Sequence, residues 1–383
     1  MKLRLGMIGG GQGAFIGAVH RIAARIDDDY ELVCGAFSSS AEKSIASGVA
    51  LGLSPERSYA SYEELIEKEK QLPADQRVQV ISIVTPNHMH FGPTKLALEN
   101  GFHVVLDKPM TFSLAEAKEL EKVVKSSGKL FCLTHTYTGY PMVKEAKQLV
   151  KAGKIGKVRK IYVEYPQGWL ATFLEGEDNK QASWRTDPGK SGIAGAMGDI
   201  GTHAFNLMEY VTGLQVTQLC ADINIVVEGR KLDDDGAVLI KLNNGASAVL
   251  TATQIAAGEE NNVKIRVYGE TGSLEWQQWD ANTLVVKMSG EPWQIYRTGG
   301  GYVSSYASHN TRTPGGHPEG YLEAFANLYH NFALCVKAEI EGTQASPEAQ
   351  DYPGIDEGVR GMAFIENVIA SGKSDIKWTK FNV

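Results

Sequence analysis

The sequence has no long apolar run and no paired cysteines, and each absence excludes a class of protein. No stretch approaches the ~18 to 20 apolar residues that a membrane-spanning helix needs. The N-terminal residues run directly into a strand-like pattern instead of a signal peptide. The four cysteines lie about 90 to 115 positions apart, which leaves no Cys-x-x-Cys pair for a metal or redox centre. We therefore expect a cytoplasmic protein whose thiols are free and buried.

The chain also lacks an excess of basic residues. Its 38 Lys plus Arg against 45 Asp plus Glu give a formal net charge of −7. A nucleic-acid-binding protein needs a basic face that neutralises phosphates, so this class is excluded. Hydrophobic residues make up 43% of the 383 positions, enough to fill the cores of two or three globular domains.

Short apolar runs alternate with amphipathic segments in the first third of the chain. Strands are predicted over 3–8, 32–36, 80–84, 103–106 and 130–133, and helices over 16–26, 62–70, 93–100 and 114–126. This alternation is typical of a doubly wound parallel sheet, so we expect an α/β protein with a Rossmann domain over residues 1–135.

The pattern changes after about residue 135. A helix over 142–152 and a strand over 158–165 precede β-rich runs between 216 and 288, which are separated by turn signals. Helical periodicity returns over 321–338 and 358–369. We expect a second, α+β domain over 136–383, which contains a large and mostly antiparallel open sheet.

A glycine-rich run follows the first predicted strand and opens the first predicted helix. Glycines let a backbone approach a pyrophosphate, and a helix N-terminus supplies N–H groups and partial positive charge. The run departs from Gly-x-Gly-x-x-Gly, because its third glycine is Gly17, and a tight turn without a ligand is the alternative interpretation. The predicted dinucleotide contacts in this turn are Gly9, Gly11, Gln12, Gly13, Ala14, Phe15 and Ile16.

The residue that contacts the adenosine ribose is expected about twenty positions after Gly17. The chain has Phe37-Ser38-Ser39-Ser40 there, with no carboxylate for a 2′-hydroxyl and only Lys43 as a nearby cation. Serine hydroxyls can bond either a 2′-hydroxyl or a 2′-phosphate. Ser38, Ser39 and Lys43 are therefore the candidate contacts, and NAD is slightly favoured while NADP stays open.

Three further polar clusters fall near predicted strand or helix ends: Thr85-Pro86-Asn87-His88-Met89-His90, Asp107-Lys108-Pro109 and Gly198-Asp199-Ile200-Gly201-Thr202-His203. Ligands bind at the carboxyl ends of strands in open α/β folds. The candidate cofactor contacts are therefore Thr85, Pro86, Asn87, His90, Asp107 and Lys108. His88 and His90 have no cysteine or carboxylate partner at ligand spacing, so we expect no metal.

The clusters contain the residue types that alcohol oxidation needs. A secondary alcohol must lose a hydride and a hydroxyl proton, and histidine suits the proton step because its pKa lies near neutral pH. A lysine such as Lys108 can donate a hydrogen bond to the developing alkoxide. Asp199 and His203 are four apart, so on a helix they share one face and can bond each other or one substrate. Singly, these residues also fit a solvated lysine, a structural histidine and a helix cap.

The motifs resemble the glucose-fructose oxidoreductase and myo-inositol dehydrogenase family of NAD(P)-dependent oxidoreductases over nearly the whole chain. The resemblance is carried by the glycine turn with Gly17-x-x-His20, Thr85-Pro86-Asn87-x-x-His90, Asp107-Lys108-Pro109 and Asp199-Ile200-Gly201-Thr202-His203. It implies a catalytic triad of Lys108, Asp199 and His203. It also implies a C-terminal sheet that forms an oligomer interface, and so a homodimer or homotetramer. Asp107 stands where the family usually has Glu, and the glycine turn is longer than the common form.

Three other segments are similar to a branch of this family that acts on sugars or glycosides: 134–141, 184–188 and 316–321. The resemblance implies a carbohydrate or cyclic polyol substrate. Arg, His, Tyr and Trp side chains supply donors for hydroxyls and a flat apolar surface for a pyranose ring. Tyr137, Trp184, Arg185 and His317 are the candidate substrate contacts. His317-Pro318 also fits a helix start, in which His317 only caps.

Two alternatives to a dehydrogenase stay open. Transient oxidation can loosen a glycosidic bond, so that the net reaction is elimination or hydrolysis without net consumption of the cofactor. A sugar sensor that keeps the nucleotide site but has lost catalysis is the second alternative. The presence of Lys108, Asp199 and His203 together weighs against a sensor, which needs no proton acceptor.

Overall fold

The computed structural model describes residues 1–176 and 179–383, and within these residues it has two compact units. The first unit consists of Met1–Thr136 and Tyr321–Val359, and the second of Tyr137–Gly320 and Arg360–Val383. The sequence pattern predicts a single boundary, between residues 135 and 136, with the second domain extending to residue 383. The structure differs in placing Tyr321–Val359 with the first unit.

The first unit is built on a five-stranded parallel sheet of order β2-β1-β3-β4-β5. Its strands are β1 (Leu3–Gly9), β2 (Tyr30–Ala36), β3 (Val80–Val84), β4 (His103–Leu106) and β5 (Phe131–Leu133). Its helices before residue 136 are α1 (Phe15–Ile26), α2 (Ala41–Ala50), α3 (Tyr62–Gln71), α4 (Phe91–Glu99) and α5 (Leu114–Ser127). Every residue of β3 and β4 is buried, as expected of a parallel sheet covered on both faces. The predicted doubly wound sheet is confirmed.

Helix α2 was not predicted from the sequence. Its large apolar residues, Ile45 and Val49, are exposed, and the positions that it buries are Ser44, Ser47 and Gly48. A helix without an apolar stripe gives no hydrophobic periodicity. The helix begins at Ser40, whose side chain accepts a hydrogen bond from the N–H of Lys43.

The C-terminal part of the first unit contributes to its core. Helix α11 (Tyr321–Glu341) buries Phe325, Tyr329, Phe332 and Val336, which are spaced three or four apart and share a cluster with residues of β1 and β3. The hydroxyl of Tyr30 also donates to the carbonyl oxygen of Tyr329 at 2.9 Å. This apolar face explains why the segment belongs to the first unit. The helix that follows in sequence is α12 (Ile355–Gly372).

The second unit contains a nine-stranded sheet of order β13-β12-β11-β10-β6-β9-β8-β7-β14. Its strands are β6 (Lys160–Pro166), β7 (Val216–Asn224), β8 (Asp235–Leu242), β9 (Ser247–Thr253), β10 (Lys264–Tyr268), β11 (Gly272–Gln277), β12 (Thr283–Met288), β13 (Gln294–Arg297) and β14 (Thr379–Lys380). Only β6 and β9 pair in parallel, and the other described neighbours are antiparallel. Buried and exposed residues alternate along β8, as expected of a sheet with one open face. The predicted open sheet is confirmed.

Short helices complete the second unit: α6 (Pro141–Lys151), α7 (Lys180–Arg185), α8 (Pro188–Ser191), α9 (Thr202–Thr212) and α10 (Ser305–His309). A π-helical turn, Met197–Gly201, leads directly into α9. Such wide turns often occur at functional sites. Among the described residues, no helix combines the length and the apolar character required to cross a membrane.

Candidate active site

The glycine-rich turn after β1 is a close backbone packing arrangement. Gly9, Gly10 and Gly13 have positive φ angles of 84°, 70° and 76°, which side chains other than glycine rarely adopt. A Cβ added at Gly17 would overlap the Cα of Gly10 and lie 2.7 Å from its carbonyl oxygen. The absence of a side chain at Gly17 therefore allows the helix to pack closely against the turn, which is the role of the third glycine in a dinucleotide-binding fingerprint.

Helix α1 presents a first turn that suits an anion. It begins after Ala14, whose methyl side chain cannot cap the helix, and its first turn has no acidic residue. The N–H groups of the first turn therefore point toward the turn without a side-chain acceptor from the N-cap position. Together with the room at Gly13, where an added Cβ would meet no atom within 4 Å, these residues fit the pyrophosphate of a dinucleotide.

The ribose position lies at the carboxyl end of β2, next to the glycine turn. A Cβ at Gly11 would lie 2.8 Å from the carbonyl oxygen of Phe37, which shows how closely the two segments pack. Ser38 is partly buried, Ser39 and Lys43 are exposed, and no carboxylate occupies residues 37–40. These three residues keep their place as candidate ribose contacts.

His90 connects two loops at the carboxyl edge of the first sheet. Its Nδ1 lies 2.7 Å from the carbonyl oxygen of Pro109, and its Nε2 lies 2.8 Å from that of Thr85. The ring is buried, and burial lowers the pKa of His90 below its usual value. His90 thus positions the Thr85 loop, which contains Pro86 and Asn87, relative to the turn after β4.

Asp107 is a partly buried acid beside Lys108. Its Oδ1 accepts hydrogen bonds from the N–H of Lys108 at 3.0 Å and from the Thr134 hydroxyl at 2.9 Å, and His20 Nε2 lies 3.7 Å away. Desolvation raises the pKa of the Asp107 carboxyl, but His20, Lys108 and His90 lower it by more. The pKa of Asp107 therefore lies well below the usual range. A permanently ionised carboxylate therefore accompanies the Lys108 ammonium.

In the second unit, the π turn and the start of α9 contain Asp199 and His203. Asp199 Oδ2 accepts a hydrogen bond from Gln254 Nε2 at 2.9 Å and lies 3.5 Å from Arg185 Nε. His203 is buried, and the edge of its ring meets the Tyr137 ring with centroids 4.9 Å apart. The structure thus brings Asp199 together with Arg185, and His203 together with Tyr137.

Aromatic and amide side chains surround these residues. The hydroxyls of Tyr137 and Tyr165 are hydrogen-bonded, and Tyr165 donates to Asn261 Oδ1 at 2.8 Å. Burial raises the pKa of Tyr137. The Arg185 guanidinium stacks on the Trp184 ring at 4.4 Å and lies 5.9 Å from the Trp169 ring. The region therefore offers hydroxyl, amide and guanidinium groups beside flat indole surfaces, which suits a polyhydroxylated ring.

Several members of this group were not predicted from the sequence: Tyr165, Gln167, Trp169, Gln254 and Asn261. Tyr165 lies near the carboxyl end of β6 and Gln167 just beyond it, and Gln254 directly follows β9, the parallel partner of β6. Gln254 Nε2 also donates to Gln167 Oε1 at 3.3 Å. The available signal was the polar residue that follows each strand, but the parallel pairing of β6 and β9 is not visible in one sequence.

His317 lies in an exposed turn of the second unit. Its Nδ1 is 3.1 Å from the carbonyl oxygen of Pro314, and the Thr313 hydroxyl donates to the His317 carbonyl oxygen. Helix α11 begins at Tyr321, so the interpretation of His317-Pro318 as a helix start is wrong. The turn is closed by its own backbone and hydroxyl bonds instead.

One group of described residues has ligand atoms close enough to hold a metal ion. The ligand atoms of Asp27, Asp29 and His330 lie within 4.8 Å of one another. Asp29 is bonded to His330 Nδ1 and to Lys337 Nζ, each at 2.6 Å. Burial raises the pKa of Asp29, but the hydrogen bonds with His330 and Lys337 lower it by more, so its pKa lies below the usual value. The group is therefore an ion-pair network within the first unit.

The first unit, with its parallel sheet and glycine turn, has the features of a dinucleotide-binding domain, and two family models match the chain. The model described as "Oxidoreductase family, NAD-binding Rossmann fold" matches residues 3–136, and the "GFO/IDH/MocA C-terminal domain" matches residues 143–275. The chain belongs to the Gfo/Idh/MocA family of NAD-binding oxidoreductases. Its cofactor is NAD or NADP, and the resemblance stated from the motifs is confirmed.

Several related proteins are similar along their whole length. The structure of an oxidoreductase from Sinorhizobium meliloti is 44% identical, with a TM-score of 0.89, and the match covers 99% of this chain and 100% of that chain. An inositol dehydrogenase homolog from Azotobacter vinelandii, in complex with NADH and myo-inositol, is 31% identical, with a TM-score of 0.91 and coverage of 100% and 98%. Levoglucosan dehydrogenase of Pseudarthrobacter phenanthrenivorans is 26% identical over 98% of this chain and 97% of that protein.

Gly17→Ala tests the role of the close packing in the turn. The added methyl group would overlap the backbone of Gly10, so α1 must shift and its N–H groups must move away from the pyrophosphate. We expect NADH affinity to fall at least tenfold, which corresponds to about 1.4 kcal/mol, in a fluorescence titration. Gly301→Ala is the matched control, because an added Cβ there meets nothing within 4 Å. Unchanged affinity in Gly17→Ala would contradict the assignment.

Proposed function

We propose that this oxidoreductase oxidises one secondary hydroxyl of a sugar, glycoside or cyclic polyol, or reduces the matching ketone. The observation that carries the proposal is the grouping of Asp199 and His203 with aromatic, amide and guanidinium side chains in a chain that has an NAD-binding unit. Relatives named for inositol and levoglucosan support the same substrate class. NAD is slightly favoured over NADP, because residues 37–43 contain one basic side chain, Lys43, and no arginine.

We assign the alkoxide contact to Lys108. NAD⁺ or NADP⁺, when bound, would supply the hydride acceptor for the carbinol carbon. Negative charge develops on the substrate oxygen as its hydroxyl proton is lost, and the C=O bond forms as the hydride leaves. The Lys108 ammonium stabilises that charge by a hydrogen bond. Asp107 keeps the turn electrically balanced, since its carboxyl is ionised throughout the working pH range. Loss of Lys108 should therefore affect the transition state more than the binding of the nucleotide.

His203 is the proposed proton acceptor, and Asp199 orients it or the substrate. Two other histidines of the chain are unsuited to this role, because burial lowers the pKa of both His90 and His135, in the latter case to about 3. These rings stay neutral and do not take up a proton near neutral pH. Tyr137, Trp184 and Arg185 are the proposed substrate contacts, with His317 ranked last because of its exposed turn.

The exposed face of the second sheet supports a further proposal, that the chain forms a homodimer or homotetramer in the cytoplasm. Tyr162, Leu239 and Tyr268 are large side chains on β6, β8 and β10 that remain exposed. Exposed apolar patches of this kind mark interaction surfaces. Light scattering of the purified protein should give two or four times the mass of one chain, and the mass of a single chain would contradict the proposal.

A substrate screen tests the reaction class. Monosaccharides, disaccharides, anhydrosugars and inositols are each incubated with NAD⁺ and with NADP⁺, and reduced nicotinamide is measured by absorbance. We expect one equivalent of reduced nicotinamide for each equivalent of product. Product formation without reduced nicotinamide would support elimination or hydrolysis instead. Binding without any turnover would support a sensor.

Lys108→Met tests the role of the ammonium. Methionine preserves the length of the side chain but cannot donate a hydrogen bond, so we expect kcat to fall by about 10² to 10³-fold while the Kd for NADH stays within twofold. Lys118→Met, an exposed position on α5, is the matched control and should behave like the unmodified protein. An unchanged kcat in Lys108→Met would remove Lys108 from the mechanism.

A further inference from the structure

The π turn that contains Asp199 lacks a cap of its own. Its N-cap residue is Ala196, and the residues around it, Ala194, Gly195 and Met197, have no side-chain oxygen. All four are buried, so their N–H groups cannot be satisfied by bulk solvent. The acceptors for this turn must therefore come from another segment of the chain.

Asp233 supplies those acceptors from the connection between β7 and β8. Its Oδ1 accepts a hydrogen bond from the N–H of Gly195 at 2.6 Å, and its Oδ2 accepts one from Met197 at 2.7 Å. Its carbonyl oxygen accepts a third from Ala196 at 2.8 Å. A Cβ at Gly195 would overlap that carbonyl oxygen, so only glycine allows this approach. One residue thus binds three successive N–H groups.

Two short hydrogen-bonded paths lead from Asp233 to the proposed catalytic residues. The N–H of Asp199 donates to the carbonyl oxygen of Gly195 at 2.9 Å. The N–H of Thr202, the residue before His203, donates to the carbonyl oxygen of Met197 and so closes the π turn. Gly195 and Met197 are the two residues whose N–H groups the Asp233 carboxylate binds.

Asp234, the residue after Asp233, accepts a backbone hydrogen bond from Gln254, whose side chain binds Asp199. The N–H of Gln254 donates to the carbonyl oxygen of Asp234 at 2.8 Å, while the Gln254 side chain donates to Asp199. By contrast, the Asp234 carboxylate binds the N–H groups of Val226 and Val227 and the Arg230 guanidinium. The Asp233 carboxylate therefore binds the backbone at the π turn, whereas the Asp234 carboxylate binds the segment from Val226 to Arg230.

Burial raises the pKa of Asp233, and the bonds from Met197 and Gly195 offset only part of that effect. A raised folded-state pKa means that the ionised carboxylate costs stability, and that this cost appears as the pH rises through the pKa. A contribution to folding stability therefore does not explain why position 233 is an aspartate. A side chain with two acceptor oxygens for two N–H groups does explain it.

We propose that Asp233 is a positioning residue for the reaction, which sets the π turn and thereby the placement of Asp199 and His203. This inference rests on the proposed function for the roles of those two residues. Asp233 contacts neither substrate nor cofactor in the proposal, and it acts only through the backbone of the turn.

Asp233→Asn tests the inference, because the amide retains the shape but has only one acceptor oxygen. With NAD⁺ and whichever of myo-inositol and levoglucosan is turned over, we expect kcat per folded molecule to fall at least tenfold. The Kd for NADH, which binds in the first unit, should not change. In the His203→Ala background, Asp233→Asn should cost less activity than in the unmodified protein, because one of the two residues that it positions is already absent.

The control and a substrate-independent measurement complete the test. Asp234→Asn removes an equally buried carboxylate and should lower thermal stability while kcat per folded molecule is retained. A crystal structure of Asp233→Asn should show the 197–201 turn rearranged. An unchanged turn, equal kcat losses in the two Asn variants, or a full additional loss in the His203→Ala background would overturn the inference. An unaffected kcat in His203→Ala alone would instead reject the proposed function.

Discussion

Parallel pairing of neighbouring strands is the constraint on which the candidate site residues of each unit depend. Parallel strands end at the same edge of a sheet, so the residues that follow them collect there. In the first unit, β1, β3 and β4 bring the glycine turn, the Thr85 loop and Asp107-Lys108 to one edge. In the second unit, the single parallel pair, β6 and β9, does the same for Gln167 and Gln254 within an otherwise antiparallel sheet.

Electrostatic interactions and burial determine which polar groups of the first unit are charged. Asp107 is ionised although it is largely shielded from solvent, because His20, Lys108 and His90 together outweigh the cost of its desolvation. His90 and His135 lie in the same unit, but burial keeps both rings neutral. The rings of His90 and His135 are therefore unsuited to accept a proton near neutral pH. In the proposed function, Lys108 acts on the substrate oxygen and His203, in the second unit, takes the proton.

Local signals in the sequence predicted the parts of the structure that depend on neighbours in the chain. The strands of the first sheet, the glycine turn and the start of α5 at Ser113, which accepts from the N–H of Glu116, were all predicted correctly. The parts that depend on distant segments were not. Three features join segments that are far apart in sequence. They are the packing of α11 in the first core, the pairing of β6 with β9, and the hydrogen bonds that Asp233 accepts from the backbone at the π turn. Helix α2 was missed for a different reason, since it buries serine and glycine instead of an apolar stripe.

The central claim is that a carbinol C–H bond breaks with its electron pair, while protein groups manage only the charge and the proton on oxygen. Tracing deuterium from a substrate labelled at the reacting carbon tests this claim most directly. In a single turnover, the account predicts that the label appears in the reduced nicotinamide and that the first turnover shows a primary isotope effect. Recovery of the label in water would contradict it, because the bond would then have broken by loss of a proton.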